Sequence, residues 1–157
     1  MNAIVAVDNN WCIGNDNELL YHIKDDMKHF KEITTNHICV MGRKTFDSLQ
    51  KKPLPNRINV VLTRDKNFSY WNTLTVDSID KVLSYFNENE VYIIGGESIY
   101  KQFLPYITTF YVTKILSNEK IGNKFIPNLD EMNFSQNEIE HFNDTIPYQF
   151  ITYRRNV

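Results

Sequence analysis

The stretch VYIIGGESIYKQF, residues 91–103, contains the order of elements that decides the fold. It begins with a continuous apolar run, passes through two glycines and continues with the spacing of a helix. An apolar run without alternation is typical of a strand buried on both faces of a parallel sheet. Gly95 and Gly96 carry no side chains, so a flat or phosphorylated ligand can approach the backbone between the two elements. The stretch predicts a strand–turn–helix unit of an α/β fold with a candidate ligand site at its turn.

Three earlier segments repeat this apolar pattern, and helical patterns lie between them. The predicted strands are AIVAV (3–7), HICVMG (37–42), INVVLT (58–63) and VYIIGG (91–96). The predicted helices run from Asp26 to about Thr34, from Thr45 to about Gln50, over residues 77–86 and over residues 97–104. Strands that alternate with helices in this way favour a parallel α/β sheet with crossover connections.

The last third of the chain has a different pattern. TFYVTKIL (109–116), NFSQNEIEHF (133–142) and YQFITYRR (148–155) alternate apolar and polar residues, and no long helix separates the last two. This pattern predicts an antiparallel hairpin at one edge of the sheet. A length of 157 residues without an internal repeat or a Gly/Ser-rich linker predicts a single domain over residues 1–157.

The composition argues against several classes of partner. The formal net charge is −2 and the pI is about 6.1, so no overall field attracts nucleic acid or an anionic membrane. The start MNAIVAVDNN lacks a secretory pattern and no run of about eighteen apolar residues occurs, so we expect a cytoplasmic protein. Cys12 and Cys39 are expected to be reduced, packed thiols. No His/Cys cluster has metal-ligand spacing, so no metal is expected, and the four histidines are interpreted as surface or packing residues.

The segment LLYHIKDDMKHF, residues 19–30, places two aspartates at a predicted helix start. On a helical wheel centred on Phe30, Asp26 falls inside the apolar stripe together with Met27, whereas Asp25 falls on the charged side. Asp25 is therefore interpreted as a solvated first-turn acid. An ionised carboxylate on an apolar face needs a partner. Asp26 is either a buried acid bonded within the protein or an acid open to a ligand with amidine-like donors.

Two other strand ends carry groups suited to an anionic ligand. CVMGRKTFDSL (39–49) passes from a strand through a glycine to two basic residues at a helix start, where free backbone N–H groups bind phosphate. VVLTR (60–64) ends in a hydroxyl and a guanidinium, and ligands of open α/β sheets collect at such edges. The chain has no G-x-G-x-x-G, phosphate-loop or G-x-S-x-G motif, which argues against the ordinary Rossmann, P-loop and nucleophile-elbow interpretations.

Together these fragments resemble the dihydrofolate reductase family over essentially the whole chain. The resemblance lies in AVDNNWCIGNDNELLYHIKDDMKHFK, MGRKTFDSL, LPNRINVVLTR, VYIIGGESIYKQFLP, FYVTKI and a terminal hairpin, which follow the family's order and spacing. It implies an eight-stranded, mostly parallel sheet with four main helices. It also implies NADPH-dependent reduction of 7,8-dihydrofolate to 5,6,7,8-tetrahydrofolate, by hydride transfer to C6 with protonation of N5, which supplies one-carbon metabolism.

The family pattern assigns roles to residues of the substrate pocket. Asp26 matches the single acid of the pterin pocket, which accepts bonds from the 2-amino group and N3 and favours the protonated imine. Thr113 matches the hydroxyl that bonds this acid, and Tyr21 stands where an indole donor orders a water near the substrate. Arg57 matches the arginine that clamps the glutamate α-carboxylate. The other implied substrate-binding residues are Ile4, Val5, Ala6, Leu19, Phe30, Leu49, Leu54, Ile94 and Tyr100.

The same resemblance implies NADPH as the cofactor. Arg43 and Arg64 match positions that hold the 2′-phosphate, which predicts a preference for NADPH over NADH. The family also has a cis peptide bond at the position of Gly95–Gly96. The implied cofactor-binding residues are Ala6, Ile13, Gly14, Gly42, Arg43, Lys44, Thr45, Leu62, Thr63, Arg64, Gly95, Gly96, Glu97, Ser98, Ile99 and Tyr100.

The chain departs from the family pattern beside the pocket acid. Leu20, Tyr21 and Lys24 stand where the family usually has proline, tryptophan and proline. The loop that closes over the site is therefore expected to be less constrained. Asn123 stands where the family often has aspartate, and it is expected to be a weaker polar partner for that loop.

Two other functions stay open at this point. The pyrimidine reductase of riboflavin synthesis shares the fold and NADPH, but it requires neither a pocket acid followed four residues later by Phe nor the segment LPNR. The other alternative is a non-catalytic pterin- or nucleotide-binding protein. The expected partners are dihydrofolate and antifolate inhibitors, and the chain is expected to act as a monomer.

Overall fold

A computed structural model describes residues 1–16 and 18–157. Along the chain its helices and strands are β1 (Asn2–Val7), β2 (Cys12–Gly14), α1 (Lys24–Thr34), β3 (Ile38–Gly42), α2 (Arg43–Ser48), β4 (Ile58–Leu62), β5 (Thr73–Val76), α3 (Ile79–Tyr85), β6 (Val91–Gly95), α4 (Glu97–Phe103), β7 (Thr109–Ile115), β8 (Lys124–Phe125), β9 (Phe134–Phe142) and β10 (Tyr148–Arg155).

One eight-stranded sheet organises the fold, with the strand order β5-β4-β3-β6-β1-β7-β10-β9. Neighbouring strands are parallel to each other along the whole run β5-β4-β3-β6-β1-β7. Strand β10 runs antiparallel to both β7 and β9. The predicted α/β class, the mostly parallel sheet and the C-terminal antiparallel hairpin are confirmed.

The sequence pattern does not predict two of the strand pairings. Strand β5 has only four residues, and most of them are partly or fully exposed because the strand lies at the edge of the sheet. A short, exposed strand lacks the buried apolar run that marks the central strands. Strands β2 and β8 form a separate two-stranded ribbon. Its strands are far apart in sequence, so local periodicity cannot reveal their pairing.

Helix α1 begins at Lys24, two residues before the predicted start. Ile23 is the residue before the helix and makes no side-chain capping bond. The backbone N–H groups of Asp26 and Met27 both donate to the Ile23 carbonyl at 3.1 Å. The predicted burial of Met27 is wrong, because its side chain is 47% exposed. Apolar residues often remain exposed, so the helical wheel overstates the width of the buried stripe.

The central strands are buried on both faces, as their continuous apolar runs predict. Val40 and Val60 belong to a large cluster on one face of the sheet, together with residues of α3 and α4. Met41 and Val61 belong to a second cluster on the other face. Neighbouring residues of a strand point to opposite faces, so each strand contributes to both clusters. This packing fixes the strand ends at which the candidate site lies.

The two cysteines are both buried and reduced, as expected. Burial raises the pKa of the Cys39 thiol to about 11, so this group is a packed thiol at neutral pH. Among the described residues, no helix is both long and apolar enough to cross a membrane.

Candidate active site

Asp26 lies in the first turn of α1 and turns toward β7. The Thr113 hydroxyl donates a hydrogen bond to Asp26 Oδ1 at 2.6 Å. Burial raises the pKa of the Asp26 carboxyl above its ordinary value, against the lowering effects of the Thr113 bond and of nearby His29. The predicted contact between Asp26 and Thr113 is therefore present, and it leaves Asp26 with unused acceptor capacity for a ligand.

Asp25 is exposed, as the helical wheel predicts, but it is not simply a solvated charge. The Tyr148 hydroxyl donates to Asp25 Oδ2 at 3.0 Å. Tyr148 lies on β10, 123 residues further along the chain, so the sequence carries no local signal for this bond. The interpretation of Asp25 as a solvated first-turn acid is incomplete for this reason.

Four of the predicted substrate-binding residues come together in one apolar cluster on the α1 side of the sheet. They are Phe30, Leu49, Leu54 and Ile94, and they pack with Met41 and Phe46. They come from α1, the end of α2, the following loop and β6. A half-buried apolar wall of this kind suits a flat aromatic ligand.

Arg57 lies beside this apolar wall. Its guanidinium carbon is 5.8 Å from the centroid of the Phe30 ring. Its Nη1 donates to Thr34 Oγ1 at 3.1 Å and its Nε donates to the Pro55 carbonyl at 2.9 Å. These two bonds orient the guanidinium and leave further N–H donors for an external carboxylate. The role of Thr34 was not predicted from the sequence, because a threonine within a helical pattern gives no separate signal.

The remaining predicted substrate residues lie along β1 and near the ribbon of β2. The Tyr100 hydroxyl donates to the Ile4 carbonyl at 2.7 Å, which joins α4 to β1. Burial raises the pKa of Tyr100, so the hydroxyl remains a donor. A small cavity brings several predicted residues together, and its lining includes Ala6, Ile13, Leu19 and Tyr21. Val5 is buried in the core beside them.

The turn between β6 and α4 has the shape of a ligand cradle. The Gly95–Gly96 peptide bond is cis, and Gly95 has a φ of 128°. A Cβ added at Gly95 or Gly96 would lie 3.6 Å or 3.5 Å from Thr45 Oγ1, so side chains there would fill the space between β6 and α2. This geometry fits a dinucleotide that passes close to the backbone. The structure thus brings Thr45 of the first predicted loop to the glycines of the third.

The basic residues of the cofactor side differ in their surroundings. Helix α2 begins at Arg43 rather than at the predicted Thr45, so Arg43 lies in its first turn. Arg43 forms ion pairs of 3.1 Å with both Asp47 and Asp65, and its guanidinium carbon lies 4.4 Å from the Phe68 ring centroid. Neither acid was predicted to matter. The carboxylates neutralise much of the Arg43 charge, although this arginine was predicted to hold the 2′-phosphate.

The other predicted cofactor residues lie at the same edge, and some have free polar groups while others are bonded within the protein. Arg64 and Lys44 are exposed and form no hydrogen bond or ion pair within residues 1–16 and 18–157. Thr63 follows β4, and its hydroxyl accepts a bond from the backbone N–H of Asp65 at 3.1 Å. Glu97 contacts β8 through the backbone N–H of Phe125 at 2.6 Å. Gly14, Gly42, Leu62, Ser98 and Ile99 complete the predicted set and lie in β2, β3, β4 and α4.

Tyr21 is buried, and its hydroxyl is bonded to a loop. It donates to Ser117 Oγ at 2.9 Å and accepts from the backbone N–H of Lys120 at 3.1 Å. The Lys120 ammonium lies 5.0 Å from the Tyr21 ring centroid. The hydroxyl therefore joins the start of α1 to residues 117–120. Its assignment as a water-orienting group toward the substrate stays a prediction.

Asn123 is a full hydrogen-bonding partner for the segment after β2. Its Oδ1 accepts from the backbone N–H of Asp16 at 2.7 Å, and its Nδ2 donates to Asp16 Oδ1 at 2.9 Å. Its own N–H donates to the Gly14 carbonyl at 3.0 Å. An amide both donates and accepts, so Asn123 uses both of its polar atoms on Asp16. That it is a weaker partner than an aspartate stays a prediction.

This fold and site are those of an α/β enzyme with a candidate nucleotide site at the carboxyl edge of its sheet, beside an apolar cleft with one half-buried acid. A family model described as Dihydrofolate reductase matches residues 1–155. The chain is 36% identical over 157 residues to dihydrofolate reductase of Bacillus subtilis (strain 168), and the match covers 97% of this chain and 92% of that protein. It is 41% identical over 128 residues to dihydrofolate reductase of Staphylococcus haemolyticus, and that match covers 81% of this chain and 76% of the relative.

A solved structure gives the same result. Dihydrofolate reductase from Enterococcus faecalis, complexed with NADP(H) and RAB-propyl, matches with a TM-score of 0.89 and 30% identity, over 99% of this chain and 96% of that one. The chain belongs to the dihydrofolate reductase family. It is an NADPH-dependent oxidoreductase, and the pyrimidine reductase alternative finds no support.

Proposed function

We propose that the protein reduces 7,8-dihydrofolate to 5,6,7,8-tetrahydrofolate with Asp26 as the acid of its pterin pocket. The observation that carries this proposal is the half-buried Asp26 carboxylate, bonded by Thr113 at 2.6 Å in the first turn of α1. When bound, NADPH supplies the hydride that is added to C6 of the substrate. The residues of this chain bind the ring, orient it and promote the addition of a proton to N5.

Asp26 is suited to this role by its surroundings. A carboxylate can accept two parallel N–H bonds from the 2-amino group and N3 of a pterin. Its negative charge in a partly water-excluded pocket favours the protonated form of the neighbouring imine. Burial raises the pKa of Asp26, which brings a carboxyl group closer to the pH at which it exchanges protons with a ligand. The Thr113 hydroxyl fixes one carboxylate oxygen, which keeps a further lone pair, so both oxygens can accept from the ring.

The direct test is the loss of NADPH absorbance in the presence of dihydrofolate. We expect turnover with dihydrofolate and none with the pyrimidine intermediate of riboflavin synthesis. The absence of turnover with dihydrofolate would contradict the proposal. We also propose that the chain acts as a monomer and that antifolate inhibitors occupy the same cleft.

Arg57→Lys should raise the KM for dihydrofolate about tenfold with little change in kcat. The lysine keeps the charge but loses the planar pair of donors that Thr34 and Pro55 orient in Arg57. Steady-state kinetics with dihydrofolate would measure the change. Arg154→Lys, at an exposed position of β10, serves as the control. An unchanged KM in the Arg57 variant would contradict the assignment of this arginine to the substrate carboxylate.

Arg64→Ala should weaken NADPH binding about tenfold and NADH binding little, because only NADPH carries a 2′-phosphate. Arg64 is the exposed guanidinium at the end of β4, whereas Arg43 is paired with two aspartates. Dissociation constants for both cofactors can be measured by quenching of tryptophan fluorescence. Lys66→Ala, two residues further on, controls for the loss of one positive charge. Equal losses for NADPH and NADH would show that Arg64 does not contact this phosphate.

A further inference from the structure

Two adjacent aspartates of α1 are anchored to the same face of two neighbouring strands. Thr113 of β7 bonds Asp26, and Tyr148 of β10 bonds Asp25. In the antiparallel register, Tyr148 pairs with Ile115. Thr113 lies two residues before Ile115, so the side chains of Thr113 and Tyr148 project from the same face of the sheet. The pair of aspartates therefore makes two bonds to one surface.

Apart from these two bonds, the start of α1 is held by Ile23, whose side chain packs against the apolar cluster of Tyr21, Ile115 and Tyr148. Ile23 provides no capping side chain, and neither aspartate caps its own helix. Helix starts usually depend on such caps to hold their first turn. The bonds from Thr113 and Tyr148 do not cap the free N–H groups, but they fix the first turn against the sheet through its side chains. The orientation of the first turn thus depends on both strands.

The Tyr148 hydroxyl is held in a fixed position. Its ring is buried and stacks on Phe142 with a centroid distance of 4.9 Å and an interplanar angle of 12°. Phe150, on the same strand, stacks on His29 at 3.8 Å and so extends the contact to the next turn of α1. Burial, and then the Asp25 carboxylate, raise the pKa of Tyr148 to about 12. The hydroxyl is therefore a permanent donor at neutral pH.

We propose that Tyr148 and Asp25 form a positioning pair for the pocket acid. The Tyr148 hydroxyl fixes the outer side of the first turn of α1, and this holds the adjacent Asp26 against Thr113. The inference rests on the proposed role of Asp26. Without the outer bond, the turn can rotate about the helix axis, and the 2.6 Å contact between Thr113 and Asp26 becomes longer. A displacement of about 1 Å at a catalytic group can cost about 10²-fold in rate, so a smaller displacement of Asp26 is enough to lower turnover.

Tyr148→Phe tests the pair directly, because it keeps the stacked ring and removes only the donor. The readout is the titration of the Asp26 carboxyl, followed by carbon NMR in the ligand-free protein. The Thr113 bond lowers the pKa of Asp26, so a longer bond should move the titration midpoint upward. The titratable groups around Asp26 are His29 on α1, Tyr100 on α4 and Tyr148 on β10. Turnover with dihydrofolate should fall about fivefold.

Variants at Asp25 separate the hydrogen bond from the charge. Asp25→Asn keeps an acceptor for the Tyr148 hydroxyl and should retain the wild-type midpoint and turnover. Asp25→Ala should reproduce the effect of Tyr148→Phe, and the double variant should show no further loss, as expected for two partners of one bond.

Tyr153→Phe is a matched control on the same strand. The Tyr153 hydroxyl also bonds an aspartate, Asp130, at 3.0 Å. Tyr153 pairs with Phe110, and its side chain lies on the face of the sheet away from α1. The control variant should lose a comparable hydrogen bond without changing the Asp26 midpoint or turnover.

Two results would overturn the positioning pair. In one, Tyr148→Phe leaves both the Asp26 midpoint and turnover at their wild-type values. In the other, Tyr153→Phe changes them by the same amount as Tyr148→Phe. Failure of the proposed role of Asp26 is a separate result: Asp26→Asn would then keep full turnover, while the titration in the Tyr148 variant still reports the position of Asp26.

Discussion

Asp26→Asn should lower turnover with dihydrofolate at neutral pH about 10²–10⁴-fold, the range expected when an acid/base group is lost. The amide has nearly the shape of the carboxylate, and the Thr113 hydroxyl can still donate to its oxygen. The variant loses the negative charge and one of the two acceptors available to the pterin ring. Stopped-flow measurement of NADPH oxidation under single-turnover conditions would isolate this effect from product release.

The turnover of Asp26→Asn should depend on pH in a direction that can be predicted. Without the charge of Asp26, protonation of the bound ring is no longer favoured at neutral pH, so the turnover of Asp26→Asn should rise as the pH falls. In the wild-type protein, burial raises the pKa of Asp26. The carboxylate form that favours the protonated ring is fully present above this raised pKa and is lost as the pH falls through it. The advantage of the wild type over the variant should therefore shrink at acidic pH.

Asp25→Asn is the matched control for Asp26→Asn. It makes the same chemical change one residue earlier, at an exposed position where an asparagine oxygen can still accept from Tyr148. We expect turnover close to that of the wild type. Equal losses at the two positions would contradict the assignment of Asp26 as the pocket acid and of Asp25 as its outer neighbour.

Gly122→Val should lower the single-turnover rate about 10²-fold, because it displaces the segment that carries Ile13 and Gly14. A Cβ at Gly122 would overlap the Gly14 carbonyl oxygen, and it would lie 2.9 Å from the Gly14 carbonyl carbon and 2.6 Å from Cys12 Sγ. The nearest atom is the backbone oxygen of Gly14, so rotation of a side chain such as that of Cys12 cannot by itself relieve the overlap. Ile13 shares a cavity lining with Ala6 and Tyr21, and a shift of about 1 Å there can cost this much in rate.

Three measurements distinguish this effect from a general loss of structure. The protein should still unfold in one cooperative transition, at a melting temperature lowered by a few degrees only, because the overlap lies beside the ribbon of β2 and β8 and not in the main sheet. Gly122→Ala should have a smaller effect in the same direction. Ile121→Ala, whose side chain is 88% exposed, should retain the wild-type rate. A Gly122→Val protein that transfers hydride as fast as the wild type would show that the approach of these two segments does not position the site.

The elements of the main sheet follow closely from the sequence, because burial imposes a pattern on them. Continuous apolar runs predicted the central parallel strands, and the alternation of apolar and polar residues predicted the terminal hairpin. Edge strand β5 lacks such a pattern because its residues are largely exposed. The helical wheel separated Asp26 from Asp25 correctly, yet it placed Met27 among buried residues although its side chain is 47% exposed.

The side-chain contacts of the site were harder to predict from the sequence than the strands and helices. The resemblance to a family supplied Thr113 as the partner of Asp26, and the 2.6 Å bond agrees with it. Asp47 lies one helical turn after Arg43, so their pairing is a local i,i+4 contact that the helical pattern could have indicated. No local pattern indicated that Asp65 pairs with Arg43, or that Asn123 bonds Asp16 through both atoms of its amide, because these contacts join residues separated by much more than the period of a helix or a strand.

Asp25 and Asp26 show which features of the site the sequence predicts and which depend on the folded structure. The α/β fold, the strand ends of the cofactor side and the face of α1 on which Asp26 lies all follow from local patterns in the sequence. The bond from Tyr148 to Asp25 does not, because the two residues are 123 positions apart and meet only in the folded chain. Helix and strand periods are local properties of the chain, whereas the meeting of these two side chains depends on the register of β10 against β7 and on the packing of α1 over both strands.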